Sequence, residues 1–312
     1  MDNFENLFLP LTRHHSDEKK SLDKLDFPSK TSLAFQKFFK NKTATYSFVF
    51  VMLLFLGAVF IPIFSSHTYY ENHLDVVNSK PNMDFWFGTD ELGRDIFVRV
   101  WSGARISLGV GLGSAFIDLV LGVLFGGMSG YCGGFIDEVM MRVIDVLDGV
   151  PTLLKVMALR CLFRGGFFTV LVIIGLLSWS RTARVVRFQV LECKNQDFVL
   201  AARAIGANKK RIFFFHILPN IWGPLIVSVT LSVPSSIFGE GFLSFLGMGV
   251  ALPVASWGSM ASSGLQALRD YPWRLFFPVG FIFATMLAFN WIGDGLRDAM
   301  DPRRFVEEEG KS

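Results

Sequence analysis

The chain has 312 residues, of which 51% are hydrophobic, 15% aromatic and only 18% charged, against roughly 25% charged in ordinary soluble domains. A mean hydropathy of +0.43 excludes a disordered or conventionally soluble chain. The net charge of +3 singles out no nucleic-acid partner, and the useful information is where the positive residues sit.

Met1 to about residue 45 carries eight basic residues and ends in FQKFFKNK, an interfacial amphipathic segment expected on the cytoplasmic side. Tyr46–Phe64 follows with nineteen uncharged residues, about 28 Å as a helix and close to the ~30 Å hydrocarbon thickness. It begins too late and runs too long for a cleaved signal peptide, so it reads as an uncleaved first span.

Residues 65–104 are polar and turn-rich, with six acids against three bases, and suit an external loop. Within it stands FGTDELGRD, Phe87–Asp95. Residues 106–128 form the second span, whose Gly109, Gly113, Gly122 and Gly126 make two small-xxx-small pairs that allow close helix approach. Asp118 interrupts it; an intramembrane carboxylate faces a cavity or a partner, so it is either a translocation-path residue or a privately paired group, its partner on this or a neighbouring subunit. Both assignments stay open here.

Residues 131–150 read as a short polar return, and the third span is placed at 151–163 despite Lys155 and Arg160. The fourth is placed at 167–184, with Arg181 and Arg184 snorkelling at its end. The fifth and sixth occupy 221–238 and 275–293, with an external loop at 239–274 and a cytoplasmic tail at 296–312. The expected fold is an all-α polytopic membrane protein with six transmembrane helices. Twenty-one of the thirty Lys and Arg residues then fall on segments assigned to the side of the termini, which places both termini in the cytoplasm.

The segment 185–219 joins spans four and five on that side. In AARAIGANKKRIFFFHILPN, Ala201–Asn220, the stretch Asp197–Ile205 favours helix, with Ala201, Ala202 and Ile205 expected on one face. Gly206 can end it in the left-handed conformation, and Asn208 can cap a second helix that is broken near Pro219. Lys209, Lys210 and Arg211 would sit in that helix's first turn, where positive charge opposes the macrodipole. A cytosolic partner or lipid headgroups explain them better than local stability does.

This stretch resembles the coupling loop of bacterial ABC importer permeases through Ala201, Ala202, Gly206, Leu218 and Pro219, with Leu200 at the usual acidic position. FGTDELGRD, GARISLGVGLGSAF from Gly103, GYCGGFIDEVMMRVIDV from Gly130, IGLLSWSRTARVVR from Ile174, GEGFLSFLGMG from Gly239, SWG from Ser256 and FNWIGDGLRDAMDPR from Phe289 are similar to the C-type permease subunit of oligopeptide and dipeptide importers.

The resemblance implies a type I importer architecture in the bacterial inner membrane. It also implies a second, related permease, two cytosolic ATPase subunits and an extracytoplasmic solute-binding protein that delivers peptide. Ala201, Ala202, Arg203, Gly206, Lys209, Lys210, Arg211, Leu218 and Pro219 would couple to the ATPase, and Gly88, Asp90, Gly93, Arg94 and Asp95 would face the binding protein. For that outer segment the alternative is a glycine-rich turn in which Asp90, Arg94 and Asp95 pair locally. As a translocation-path residue, Asp118 would meet a peptide amine.

No phosphate-binding G-x-x-x-x-G-K-[ST] loop, catalytic nucleophile motif or cofactor motif occurs, so energy must come from a separate ATPase. Cys132, Cys161 and Cys193 imply no disulfide framework, and the five histidines make no metal-ligand cluster. A nickel or other small-solute permease of the same family remains an alternative. So does a proton-coupled secondary carrier, suggested by Asp118, Lys155 and Arg160.

Overall fold

A computed structural model describes residues 30–163, 165–250 and 253–300. The basic N-terminal tail up to residue 29 and the C-terminal Arg303, Arg304 and Lys311 lie outside the described residues.

In chain order the helices are α1 (Lys30–Lys40), α2 (Lys42–Phe64), α3 (Ile96–Cys132), α4 (Gly134–Gly149), α5 (Thr152–Leu162), α6 (Phe167–Cys193), α7 (Asp197–Ala204), α8 (Lys209–Ile212), α9 (Leu218–Phe245), α10 (Trp257–Gln266) and α11 (Trp273–Met300). A π-helical turn, Phe213–Ile217, joins α8 to α9. Among the described residues, five stretches are long and apolar enough to cross a membrane: α2, α3, α6, the rod Lys209–Phe245 and α11.

Around the expected third span the chain forms two helices in succession, and the expected polar return is replaced by the first of them. Residues assigned to a polar return are helical: α4 runs antiparallel to α6, with Asp137 beside Arg187 near one end and Asp148 beside Ser180 further along. Helix α5 continues it, packing Val156 against Val170, Ile173 and Ile174. The break falls at Val150–Pro151, where Val150 is extended; proline disfavours helical backbone in the residue before it. The helical stretch around the expected 151–163 therefore begins at Gly134 and runs, with this one break, to Leu162.

Helix α3 is the axis of the bundle. At 37 residues it is about 55 Å long, so it protrudes beyond the expected 106–128 on both sides. It touches α6 closely because Gly122 and Gly126 leave room: a Cβ at Gly126 would stand 2.1 Å from the Ala183 carbonyl oxygen, and one at Gly122 would stand 2.5 Å from Thr182 Cγ2. On its other flank Arg105 Nε donates to the Ala58 carbonyl at 2.5 Å and Arg105 Nη2 to Val59 at 2.7 Å, occupying carbonyls on α2. A core of Ala44, Val51, Val100, Leu108, Ile237, Trp257, Phe289 and Ile292 joins α2, α3, α9, α10 and α11.

Contacts also sort the ends of the helices. Phe38 of α1 joins the same core as Ala299 near the end of α11, and a Cβ at Gly295 would strike Ala44. Met300 lies beside Gly223 at the start of α9. The starts of α2 and α9, the end of α11 and the α7–α8 segment thus share one face. On the opposite face Arg274 Nη1 donates to Asn78 Oδ1 at 3.0 Å, tying the start of α11 to the 65–95 loop.

Candidate coupling, loop and pathway sites

The elbow between α6 and α9 is built by two capping devices. Gly206 has φ of +83°; its N–H donates to the Arg203 carbonyl and the Ala207 N–H donates to the Ala202 carbonyl, each at 3.1 Å. That is the Schellman pattern. Asn208 then caps α8 by accepting from the Arg211 N–H at 2.7 Å. Between them the caps set the turn from α7 into α8.

One part of the expected contact face is overturned. Ala201 and Ala202 are adjacent, so they point about 100° apart on a helix. Ala202 is 4% exposed and packs with Val199, Ile212, Ile217 and Ile221, whereas Ala201, Phe198, Leu200 and Ile205 face outward, Ile205 with 86% exposure. The outward surface of α7 is therefore apolar without Ala202. Arg203, Lys209, Lys210 and Arg211 are exposed, and Lys210 and Arg211 line an open groove with Phe214, Phe215 and His216.

Leu218 and Pro219 begin α9 directly after the π turn, with the Leu218 N–H donating to the Phe213 carbonyl. The expected break near Pro219 is replaced by this wide turn, and the helical rod continues through it from Lys209 to Phe245. A wide turn accommodates a residue that has no N–H to give its i−4 carbonyl.

In the outer loop, Gly88 and Gly93 both take φ of +73°, and an isolated bridge pairs Thr89 with Asp95. Asp90 Oδ1 accepts from the Leu92 and Arg94 N–H groups at 2.9 and 3.0 Å, while Asp90 Oδ2 meets Arg94 Nε at 2.7 Å and Arg99 Nε at 3.3 Å. Glu91 pairs with Arg274. Asp95 caps α3 by accepting from Phe97 N–H at 2.8 Å, and burial pushes its carboxyl up from the usual value against that hydrogen bond. Asp90, Arg94 and Asp95 are all buried. Among the side chains this loop exposes are Tyr70, Leu74, Met83 and Trp86, none of them a residue singled out from the sequence.

Asp118 is 1% exposed in the middle of α3, facing α6 and α9 beside Thr182 and Ser232, and its Oδ1 has no hydrogen-bond partner among the described residues. The interhelical position is thus a protein-lined one.

Two further clusters escaped sequence reasoning. Glu240 of α9 is fully buried: Oε1 accepts from Ser256 Oγ at 2.6 Å and Ser244 Oγ at 2.9 Å, and Oε2 accepts from Ser107 Oγ at 3.1 Å. The same Ser107 oxygen accepts from the Trp257 N–H at 3.1 Å. One carboxylate therefore fastens α3, α9 and the inserted α10. An acid two residues past the assigned end of span five, with serines at 244 and 256, was the available signal.

The other cluster joins α4 to α6. Arg187 Nε and Nη2 reach Asp137 at 2.5 and 2.7 Å, and Ser129 also donates to Asp137. Arg184 spans Asp145 at 3.0 Å and Asp148 at 2.7 Å, and Ser180 Oγ donates to Asp148 at 2.9 Å. The spacing Asp145/Asp148 puts two acids on one helical flank, a pattern that a polar-return reading concealed.

Long helices with an apolar exterior, polar groups pinned between them and a small capped helix projecting from one face define a multi-pass membrane protein of the transport type. The sequence model of the binding-protein-dependent transport system inner membrane component matches residues 122–306, and that of the N-terminal TM domain of oligopeptide transport permease C matches residues 29–81. The chain is 48% identical to the oligopeptide transport system permease protein OppC of Bacillus subtilis (strain 168) over 304 residues, covering 96% of this chain and 97% of that one. It is 47% identical to the dipeptide transport system permease protein DppC of the same organism over 292 residues, covering 93% and 91%. With OppC of Escherichia coli (strain K12) identity is 41% over 270 residues, 86% and 89% of the two chains. The chain belongs to the family of binding-protein-dependent transport system inner membrane components, as a multi-pass inner-membrane permease.

Proposed function

We propose that the chain forms one half of the translocation pathway of an ATP-binding-cassette importer for di- or oligopeptides. The curated relatives above, named for oligopeptide and dipeptide transport, favour peptides over nickel and over a proton-coupled carrier. A second, related permease completes the pathway, two cytosolic ATPase subunits drive it, and an extracytoplasmic binding protein delivers the peptide. Both termini and the α7–α8 elbow lie in the cytoplasm on this reading, and the excess of Lys and Arg on that side supports it.

The observation that carries the mechanism is the rigid elbow. Helix α7 presents Phe198, Leu200, Ala201 and Ile205 outward, while Val199 and Ala202 bind it to the base of α6 and α9. Closure of the ATPases on ATP would move α7, and α7 cannot move without the two spans attached to it; this is a two-state element biased by a remote ligand. Lys209, Lys210 and Arg211 flank the docking site and meet either an acidic ATPase rim or anionic lipid headgroups. Asp90, Arg94 and Asp95 shape the external loop from within, and its exposed Met83 and Trp86 offer the surface for the binding protein.

The test is reconstitution of the chain with its partner subunits and a binding protein, measuring ATP hydrolysis against peptides of increasing length and against nickel complexes. Stimulation by peptide supports the reading, and stimulation by nickel alone replaces it with the small-solute alternative.

A further inference from the structure

We infer that a charge-balanced strip on α4 and α6 lines the water-filled inner half of the pathway and is where the passing peptide meets this chain; the inference rests on the importer reading above. The surface of α4 divides into three sectors. Met140, Ile144, Asp137 and Met141 turn toward α3 and α6. Phe135, Ile136, Val139, Val143, Val146 and Leu147 form an exposed apolar sector. Between these, Glu138, Arg142 and Asp145 are exposed on one narrow flank; at 100° per residue they fall within about 60° of one another.

The strip continues onto α6. Arg184 bridges Asp145 and Asp148 yet keeps 45% of its side chain exposed, and Arg181, three residues earlier on the same side, is exposed too. Arg184 precedes the end of α6 at Cys193 by nine residues, about 13 Å of helix. A helix of 27 residues spans about 40 Å, some 10 Å more than the hydrocarbon layer, which sets Arg184 and Asp145 near the inner edge of that layer. Charged groups at that edge turn to water, not to lipid tails, and the neighbouring apolar sector shows which side of α4 is turned from water.

The strip holds three bases (Arg142, Arg181, Arg184) and three acids (Glu138, Asp145, Asp148). A peptide brings an ammonium, a carboxylate and side chains of either sign. A path of one sign would trap half of them, whereas mixed charges give each a weak, exchangeable partner, as conduction requires.

The test uses the whole importer complex in proteoliposomes, with Cys132, Cys161 and Cys193 replaced. Single cysteines are placed at Arg142 and Asp145, and, as controls at equal depth, at Val143 and Leu147. A membrane-impermeant methanethiosulfonate reagent should modify the first pair at least ~10-fold faster than the second, because the reactive thiolate forms in water and not in an apolar surround. Equal or reversed rates overturn the inference.

Arg142→Glu, at a residue without an ion-pair partner among the described residues, should shift severalfold the uptake ratio of a lysine-containing to an aspartate-containing tripeptide. An unchanged ratio overturns contact with substrate. Labelling is read whether or not the complex transports, so failure of ATP-driven peptide uptake by the parent complex counts against the importer reading alone.

Discussion

Asp137 and Arg187, fifty residues apart in sequence, hold each other through two hydrogen bonds of 2.5 and 2.7 Å across α4 and α6. This pair anchors the helix that the hydropathy of its own segment does not reveal. Loss of either partner leaves the other partly desolvated and alone, at a cost of about 1–3 kcal/mol. Arg187→Ala and Asp137→Ala should each lower the thermal midpoint of the purified complex, and the double variant should lose less than the two losses added together. Additive losses would mean that the pair does not act as a unit.

At Gly206 the backbone is left-handed, φ +83°, with nothing within 4 Å of a built Cβ. Crowding is therefore no obstacle, and conformation alone decides: Gly206→Ala should cost about 1–2 kcal/mol locally, and Gly206→Asn less. The expected result is normal assembly with a lower ratio of transported peptide to ATP hydrolysed, most marked in the alanine variant. Equal ratios in both variants and parent would remove Gly206 from the coupling path.

Ala201 and Ala202 separate docking from folding. Ala202→Trp should fail to accumulate in the membrane, because the indole has no room beside Val199, Ile212 and Ile217. Ala201→Trp should accumulate normally and lose peptide-stimulated ATPase activity. Full activity of Ala201→Trp would show that this face of α7 docks nothing.

Glu240 accepts hydrogen bonds from three serines in a site closed to solvent. Glu240→Gln keeps an acceptor oxygen and should fold; Glu240→Leu strands Ser107 and Ser256 without their acceptor, at about 1–3 kcal/mol for each buried group left unsatisfied. Limited proteolysis between α9 and α10 should accelerate in the leucine variant and barely change in the glutamine one.

Gly126→Leu should abolish accumulation of the folded chain, because even a Cβ there meets the Ala183 carbonyl at 2.1 Å. Separation of α3 from α6 would also part Thr182 from Asp118. Gly134→Leu is the matched control for bulk alone, standing in open space although its φ of +56° adds a modest strain. If the two accumulate alike, close approach of α3 and α6 is not required.

The helices with at most one charge within their apolar stretch were legible by composition, α2, α3, α9 and α11 among them, and so were the glycine stop and the asparagine cap of the elbow. What hydropathy could not show was α4, since Asp137, Asp145 and Asp148 are neutralised by Arg184 and Arg187 of another helix, and no one-dimensional window sees that. Ala202 was misplaced for a related reason: small residues suit both a docking face and a close internal contact, and only the neighbours Ile212 and Ile217 distinguish them. Asp90, Arg94 and Asp95 carried a motif whose residues are mostly spent on shaping their own turn.

The π turn at Phe213–Ile217 sets a phase. Ile212, Ile217, Ile221 and Leu225 are all buried, yet five residues separate the first two, which in a regular α-helix would rotate them about 140° apart. The widened turn brings them back into line. Deleting one of the three consecutive phenylalanines would let the rod close into ordinary helix with these first two isoleucines four residues apart and about 40° from alignment, so α7 would keep its aim and only the room the wide turn leaves for Pro219 would be lost.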